Sequence, residues 1–227
     1  MIPLKVYDED GNVVEEFTNQ ICLQYPYAGG GQHGLDEMSR AVSEMLYQLP
    51  IHGEFAIGYD AIGMVNDTLG GVTLTVLEDV VDYPELKKGK TVHLMGKNAI
   101  AYVQRRDITV LGSPTTRLMR QKQYLLELMN VAKPKIKENP FIITQLYNSV
   151  APYMITDVTL DEIVYLGTQA VGYTFNAEDI RMIEGRDNRV DYINEKGQED
   201  FYDDLFLDED SLTQSMIDIF YTPVSLE

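Results

Sequence analysis

"DAIGMVNDTLGGVTLTVLEDV", residues 60–80, switches from one hydrophobic period to another partway along. The first half reads as a short helix closed by Gly70, because a glycine just past the last turn takes the left-handed conformation that ends helices without strain. The second half, "GVTLTVLED", alternates as a strand with Val72, Leu74 and Val76 on one face. "EFAIGY" just upstream reads as another strand, so the order is strand, helix, strand. That order predicts an α/β unit.

Working outward, "PLKVYDEDGNVVEEF" alternates on both sides of Asp10-Gly11, the chemistry of a hairpin turn. "YAGGGQHG" reads as a glycine loop. After it, Leu35, Met38, Val42, Met45, Leu46 and Leu49 recur at helical spacing and stop at Pro50. Beyond the core unit, "GKNAIAYVQRR" and "SPTTRLMRQKQYLLELMNVAKPKI" read as helices, the second with Ser113 as N-cap and Pro114 at its first position. "TDVTLDEIVYLGTQAV" reads as a helix capped by Thr159 or a neighbour. "IRMIEGRDNRVDYIN" reads as two strands joined at "GRDN". "FLDEDSLTQSMIDIFYT" is an acidic-started helix with Leu212, Met216, Ile219 and Phe220 as its stripe. No repeat or low-complexity linker breaks the chain, so a single domain over 1–227 is expected.

Composition removes several function classes. Lys+Arg 18 against Asp+Glu 36 gives a net charge of -18, which repels nucleic acid and anionic membrane surfaces. Cys22 is alone, which excludes an internal disulfide, and its apolar setting "ICLQYPY" predicts a small buried side chain. His33, His52 and His93 lie in three segments without a nucleophile motif, and Gly29, Gly30 and Gly31 lack the Lys-Ser/Thr of a phosphate loop. No stretch reaches the roughly 18 to 20 apolar residues of a membrane span, so the chain as written reads as soluble, with neither signal nor anchor.

Against that acidity, Arg105, Arg106, Arg117 and Arg120 crowd into sixteen residues. Near the start of a helix the macrodipole disfavours a cation by about 0.3–1 kcal/mol, so Arg117 and Arg120 need something that offsets it. At 100° per residue Arg117, Gln121, Tyr124 and Leu128 share a face, with Arg120 about 60° to its side. The face is cationic at one end and apolar at the other. Guanidinium forks at a helix N-terminus suit phosphate or pyrophosphate, whereas salt bridges to the surplus carboxylates are the competing explanation.

Three ordered segments, "DAIGMVNDTLGGVTLTVLEDV", "LMGKNAIAYVQRR" and "TTRLMRQKQYLL", resemble the successive signatures of the LytR-CpsA-Psr family. The resemblance is strongest over residues 20–185, with 186–227 forming a C-terminal strand pair and helix. It implies an α-β-α layered α/β domain with a central mixed sheet flanked by helices. It also implies transfer of a cell-wall glycopolymer, such as teichoic acid or capsular polysaccharide, from a polyprenyl phosphate or pyrophosphate carrier onto peptidoglycan. By position, Arg106, Arg117, Arg120 and Gln121 match the pyrophosphate-binding residues, while Gln104 stands where the family has arginine and Arg105 lies beside it. No catalytic residue is assigned.

The family's Mg²⁺ is held by aspartates of N-terminal strands that have no counterpart here, and its membrane anchor would precede them. The resemblance therefore implies an extracytoplasmic, membrane-anchored protein of which this chain is an N-terminally shortened domain, with sheet edges open to self-association. A non-catalytic lipid- or glycan-binding module is the alternative, and a transcription regulator ranks third because no helix-turn-helix signal accompanies the acidity.

Overall fold

The computed structural model describes residues 2–194 and 196–222. In chain order the elements are β1 (Ile2–Tyr7), β2 (Val13–Asn19), α1 (Gln24–Tyr27), α2 (Gly31–Met45), β3 (Phe55–Ile57), α3 (Tyr59–Thr68), β4 (Val72–Thr75), β5 (Thr91–Leu94), α4 (Gly96–Gln104), α5 (Ser113–Glu138), α6 (Phe141–Val150), β6 (Met154–Thr156), α7 (Leu160–Ala170), β7 (Gly185–Ile193), β8 (Glu199–Leu207) and α8 (Glu209–Phe220). The chain divides into two compact units, residues 55–180 and the two flanking segments 1–54 and 181–227.

The α/β class expected from the sequence holds. The strands pair two by two and antiparallel among the described residues, as β1–β2, β3–β6, β4–β5 and β7–β8. The central mixed sheet implied by the resemblance is not formed among the described residues: each strand hydrogen-bonds to one antiparallel partner, and the four ribbons stay separate.

In the flanking unit the β1–β2 turn closes where expected. Asp8 Oδ1 accepts the N–H groups of Asp10 (3.0 Å) and Asn12 (2.8 Å), fixing the reversal. Gln24 is fully buried and behaves as an extra strand partner: its Oε1 accepts the Lys5 N–H and its Nε2 donates to the Lys5 carbonyl, both at 2.9 Å. α2 begins at Gly31, so part of the expected glycine loop is helix instead. Cys22 is exposed rather than buried, because the short helical turns after β2 turn it outward. "GRDN" lies inside β7, whose partner is β8; the reversal falls at Asn194–Gln198, where Asn194 Oδ1 accepts the N–H groups of Lys196 and Gln198. Of the α8 stripe, Leu212 and Met216 are buried, whereas Ile219 and Phe220 are exposed.

The unit of residues 55–180 holds the larger core. Val72, Leu74 and Val76 pack with Leu94, Ala99, Tyr102, Val103 and Tyr124, so the alternating face of β4 meets one side of α4 and α5. Gly71, at φ +85°, makes the turn between α3 and β4. Ser113 is the first residue of α5, and its N-cap is Gly112 at φ +81°. The left-handed backbone at Gly112 replaces the hydroxyl cap expected of Ser113. Thr159 does cap α7, in a capping box with Glu162. Among the described residues no helix is long and apolar enough to cross a membrane.

Candidate functional site

Both candidate hollows of the 55–180 unit are built on the junction of α4 and α5. The last carbonyls of a helix have no partner within it, and the end of α4 is satisfied from outside. Arg120 Nη1 donates to the Tyr102 carbonyl and Nη2 to the Arg105 carbonyl, and Gln121 Nε2 donates to the Val103 carbonyl at 2.9 Å. Arg120 Nε pairs with Glu78 Oε1 at 2.8 Å, and its guanidinium lies 5.6 Å from the Tyr102 ring centroid. Only 1% of Arg120 is exposed. The offset that its position near the helix start requires is thus the negative end of another helix plus a carboxylate.

A cleft of about 650 Å³ opens beside this junction. Arg105, Arg106, Arg120 and Lys87 border it, with Ser113 and Thr116 from the first turn of α5. Arg106 Nη1 donates to Ser113 Oγ at 3.2 Å. The same wall carries Glu78, Asp79, Asp82 and Asp107, which equal the cations in number. Three of these carboxylates already have partners. Glu78 is held by Arg120, Asp79 by Lys87 Nζ and the Lys88 N–H at 2.9 Å each, and Asp107 by the Thr109 hydroxyl at 2.6 Å. Hydrogen bonds from Lys87 hold the Asp79 carboxyl below the usual carboxylate range, and those from Thr109 do the same for Asp107. The positive end of the 26-residue α5 adds its dipole to the cleft.

The same junction also lines an apolar hollow of about 350 Å³, walled by Ile57, Ile62, Val65, Val103, Leu125 and Leu128 together with Gln121. Nearby residues therefore line different hollows: Arg120 the cleft and Gln121 the apolar one on α5, Arg105 and Val103 likewise at the end of α4. Tyr124 also lines the apolar hollow and donates from its hydroxyl to Asn66 Oδ1 at 3.1 Å. Asn66 Nδ2 in turn reaches the Leu94 carbonyl at 3.0 Å, and Asp67 Oδ1 accepts the Gly96 N–H at 2.8 Å, at the start of α4. The Asn-Asp pair of the opening stretch thus clamps β5 and α4 in place.

Of the residues expected at the site, Arg105, Arg106 and Arg120 meet at the cleft and Gln121 adjoins them. Arg117 and Gln104 lie outside the lining of both hollows. Lys87 was not legible as a site residue, because the loop that brings it to the cleft has no motif of its own. The net charge of -18 is divided unevenly between the two units. Residues 55–180 hold 12 of the 18 cations and 14 of the 36 acids, a net of -2, leaving 6 against 22 and -16 for the flanking unit.

Among the described residues no group of three or more His, Cys, Asp or Glu is placed to hold a metal ion. The cleft carboxylates with partners are tied to Arg120, Lys87 and Thr109. Glu78 and Asp79 could serve a cation only by giving up Arg120 and Lys87.

Fold and site together define an α/β domain in which a cation-bordered cleft and an apolar hollow share one helix junction. The chain belongs to the LytR_cpsA_psr family, whose model matches residues 8–204. Among solved structures, TagV of B. subtilis is 23% identical with a TM-score of 0.63, over 98% of this chain and 83% of that one. TagT bound to LI-WTA is 19% identical with a TM-score of 0.60, over 96% of this chain and 75% of the other. A transcriptional regulator, EF0465 from Enterococcus faecalis, is 16% identical with a TM-score of 0.62, over 96% and 72%. At these identities the likeness establishes the fold. The comparison with curated proteins yields no match.

Proposed function

We propose that this chain is an extracytoplasmic glycopolymer-handling domain of cell-wall assembly. Its cleft takes the phosphate or pyrophosphate of a polyprenyl-linked glycan, its apolar hollow takes the prenyl chain, and the glycan is destined for peptidoglycan. Family membership supports the glycopolymer role, and one relative carries the ligand designated LI-WTA in its printed description. The observation that carries the lipid-phosphate reading is that the two hollows are lined from one helix junction, by Arg120 beside Gln121 on α5 and by Arg105 near Val103 at the end of α4. An amphipathic ligand with a charged head and an apolar tail matches that pairing, whereas either hollow alone would suit many ligands.

Phosphate capture at this cleft is an exchange of partners. Arg105 and Arg106 with the α5 dipole supply the positive field, and Lys87 joins by leaving Asp79 for the anion. Arg120 positions the wall rather than the ligand, since its nitrogens already hold Glu78 and two carbonyls. Binding without turnover is favoured by the way Glu78, Asp79 and Asp107 are committed to neighbours, which leaves them poorly placed to move a proton. Titrating the whole chain with farnesyl pyrophosphate, inorganic pyrophosphate and farnesol tests the composite site. The joined ligand should bind far more tightly than either fragment. Equal affinities for farnesyl pyrophosphate and inorganic pyrophosphate would remove the prenyl hollow from the account.

A further inference from the structure

The β7–β8 ribbon of the flanking unit takes no part in the site described above. Its strands pair from Gly185 opposite Leu207 to Ile193 opposite Glu199. Because side chains alternate, Val190 and its partner Tyr202 share a face with Tyr192 and its partner Asp200. On that face the Tyr192 and Tyr202 rings stand 5.7 Å apart, tilted by 58°. They remain 43% and 36% exposed. The Tyr192 hydroxyl donates to Asp200 Oδ2 at 3.4 Å. Two hollows meet at Tyr192 and Ile193: one of about 580 Å³ bounded also by Asp191, Asp200 and Phe201, the other of about 470 Å³ reaching Gln198 at the turn.

Cross-strand pairing alone explains why tyrosines stand on a ribbon, but not why they are uncovered. Phe201 shows the covered alternative, with the Arg189 guanidinium 4.0 Å above its ring. An exposed pair of phenol rings offers negative faces to the C–H groups of a sugar ring, and neighbouring carboxylates and amides take its hydroxyls. Charge narrows the ligand further. Residues 185–207 carry 3 cations against 7 acids, within a unit of net -16, so a polyanion is repelled.

We propose that this face of the β7–β8 ribbon binds an uncharged saccharide chain, with sugar rings stacked on Tyr192 and Tyr202 and hydroxyls taken by Asp200 and Gln198. This site goes beyond the lipid-phosphate reading and does not depend on it.

The test uses the full chain with tetra-N-acetylchitotetraose as probe, read by calorimetry and saturation-transfer NMR, with poly(glycerol phosphate) as the anionic comparison. The neutral oligosaccharide binds and the polyanion does not. The double variant Tyr192→Ala/Tyr202→Ala weakens binding by roughly tenfold or more, while Tyr192→Phe/Tyr202→Phe stays within about threefold because the rings remain. Thermal melts of both variants separate lost binding from lost folding, and the Phe pair keeps the test open if the Ala pair unfolds. No binding by the parent chain, equal binding of the polyanion, a Phe variant as weak as the Ala one, or unchanged binding in the Ala variant would each overturn the proposal. Any of those results leaves the cleft reading intact, since that is probed with farnesyl pyrophosphate.

Discussion

Arg120 and Glu78 form an ion pair at 2.8 Å in which the arginine side chain is 1% exposed and the glutamate 33%. The pair joins α5 to the loop after β4, and the remaining guanidinium nitrogens tie α5 to the end of α4. A residue that looks like a ligand-binding cation in the sequence is thus the fastener of the wall on which ligand binding depends.

Replacing it should therefore show in stability before it shows in binding. Arg120→Met leaves Glu78 and the Tyr102 and Arg105 carbonyls without their partner, and is expected to cost about 3–5 kcal/mol in urea unfolding. Arg105→Ala, at an exposed position, should change stability by less than about 0.5 kcal/mol. Equal stabilities for the two variants would return Arg120 to the ligand-binding set.

Tyr124 predicts an alkaline limit. Burial pushes its phenol up to about 12, and Asp67 adds to the shift. Tyr7 is likewise pushed to about 12, by burial first and then by its hydrogen bond with Glu37. Both shifts favour the neutral phenol in the folded state. Their contribution is present in full below the unfolded value of about 10 and is lost as pH rises toward 12. Melting temperature should be flat up to about pH 9.5 and then fall, less steeply in Tyr124→Phe. The same substitution strands Asn66 Oδ1 and should cost about 1–3 kcal/mol at neutral pH.

Gly71 marks the one turn that the opening stretch cannot make with another residue. Its φ is +85°, and an added Cβ would lie 2.5 Å from Met95 Sδ and 2.6 Å from His93 Nε2. Gly71→Ala should destabilise by at least about 1–2 kcal/mol from backbone strain alone. A chemical melt within error of the parent would show that the turn relaxes freely.

The Lys87–Asp79 pair sets how readily the cleft accepts an anion. Asp79→Asn frees Lys87 and deletes a carboxylate, so affinity for inorganic pyrophosphate should rise, by up to about tenfold at low salt. The gain should shrink as ionic strength increases. Weaker binding in Asp79→Asn, followed by calorimetry, would mean that Lys87 is not released to the anion.

What the sequence disclosed follows the range of the forces involved. The Asp10-Gly11 turn, the α3-to-β4 switch at Gly70 and the Thr159 cap are decided within a few residues, and each stands where it was read. Ser113 failed as a cap because the backbone at Gly112 took a left-handed conformation that sequence does not announce. "GRDN" has turn composition, yet pairing with β8 carries it through as strand. At the site, the meeting of Arg105, Arg106 and Arg120 was legible, because the first two end one helix and the third lies in the next. The commitment of Arg120 and Gln121 to α4 carbonyls was not, since it depends on how two helices cross. Lys87 entered through tertiary contact alone.

The measurement closest to the central claim is the dissociation constant of farnesyl pyrophosphate for the parent chain, Arg105→Ala/Arg106→Ala and Leu125→Asp. The arginine pair borders the cleft, and Leu125 walls the apolar hollow. If one amphipathic ligand spans both, each variant weakens it by about tenfold or more, while inorganic pyrophosphate responds only to the arginine pair. Unchanged affinity in both variants, with folding intact, would contradict the account.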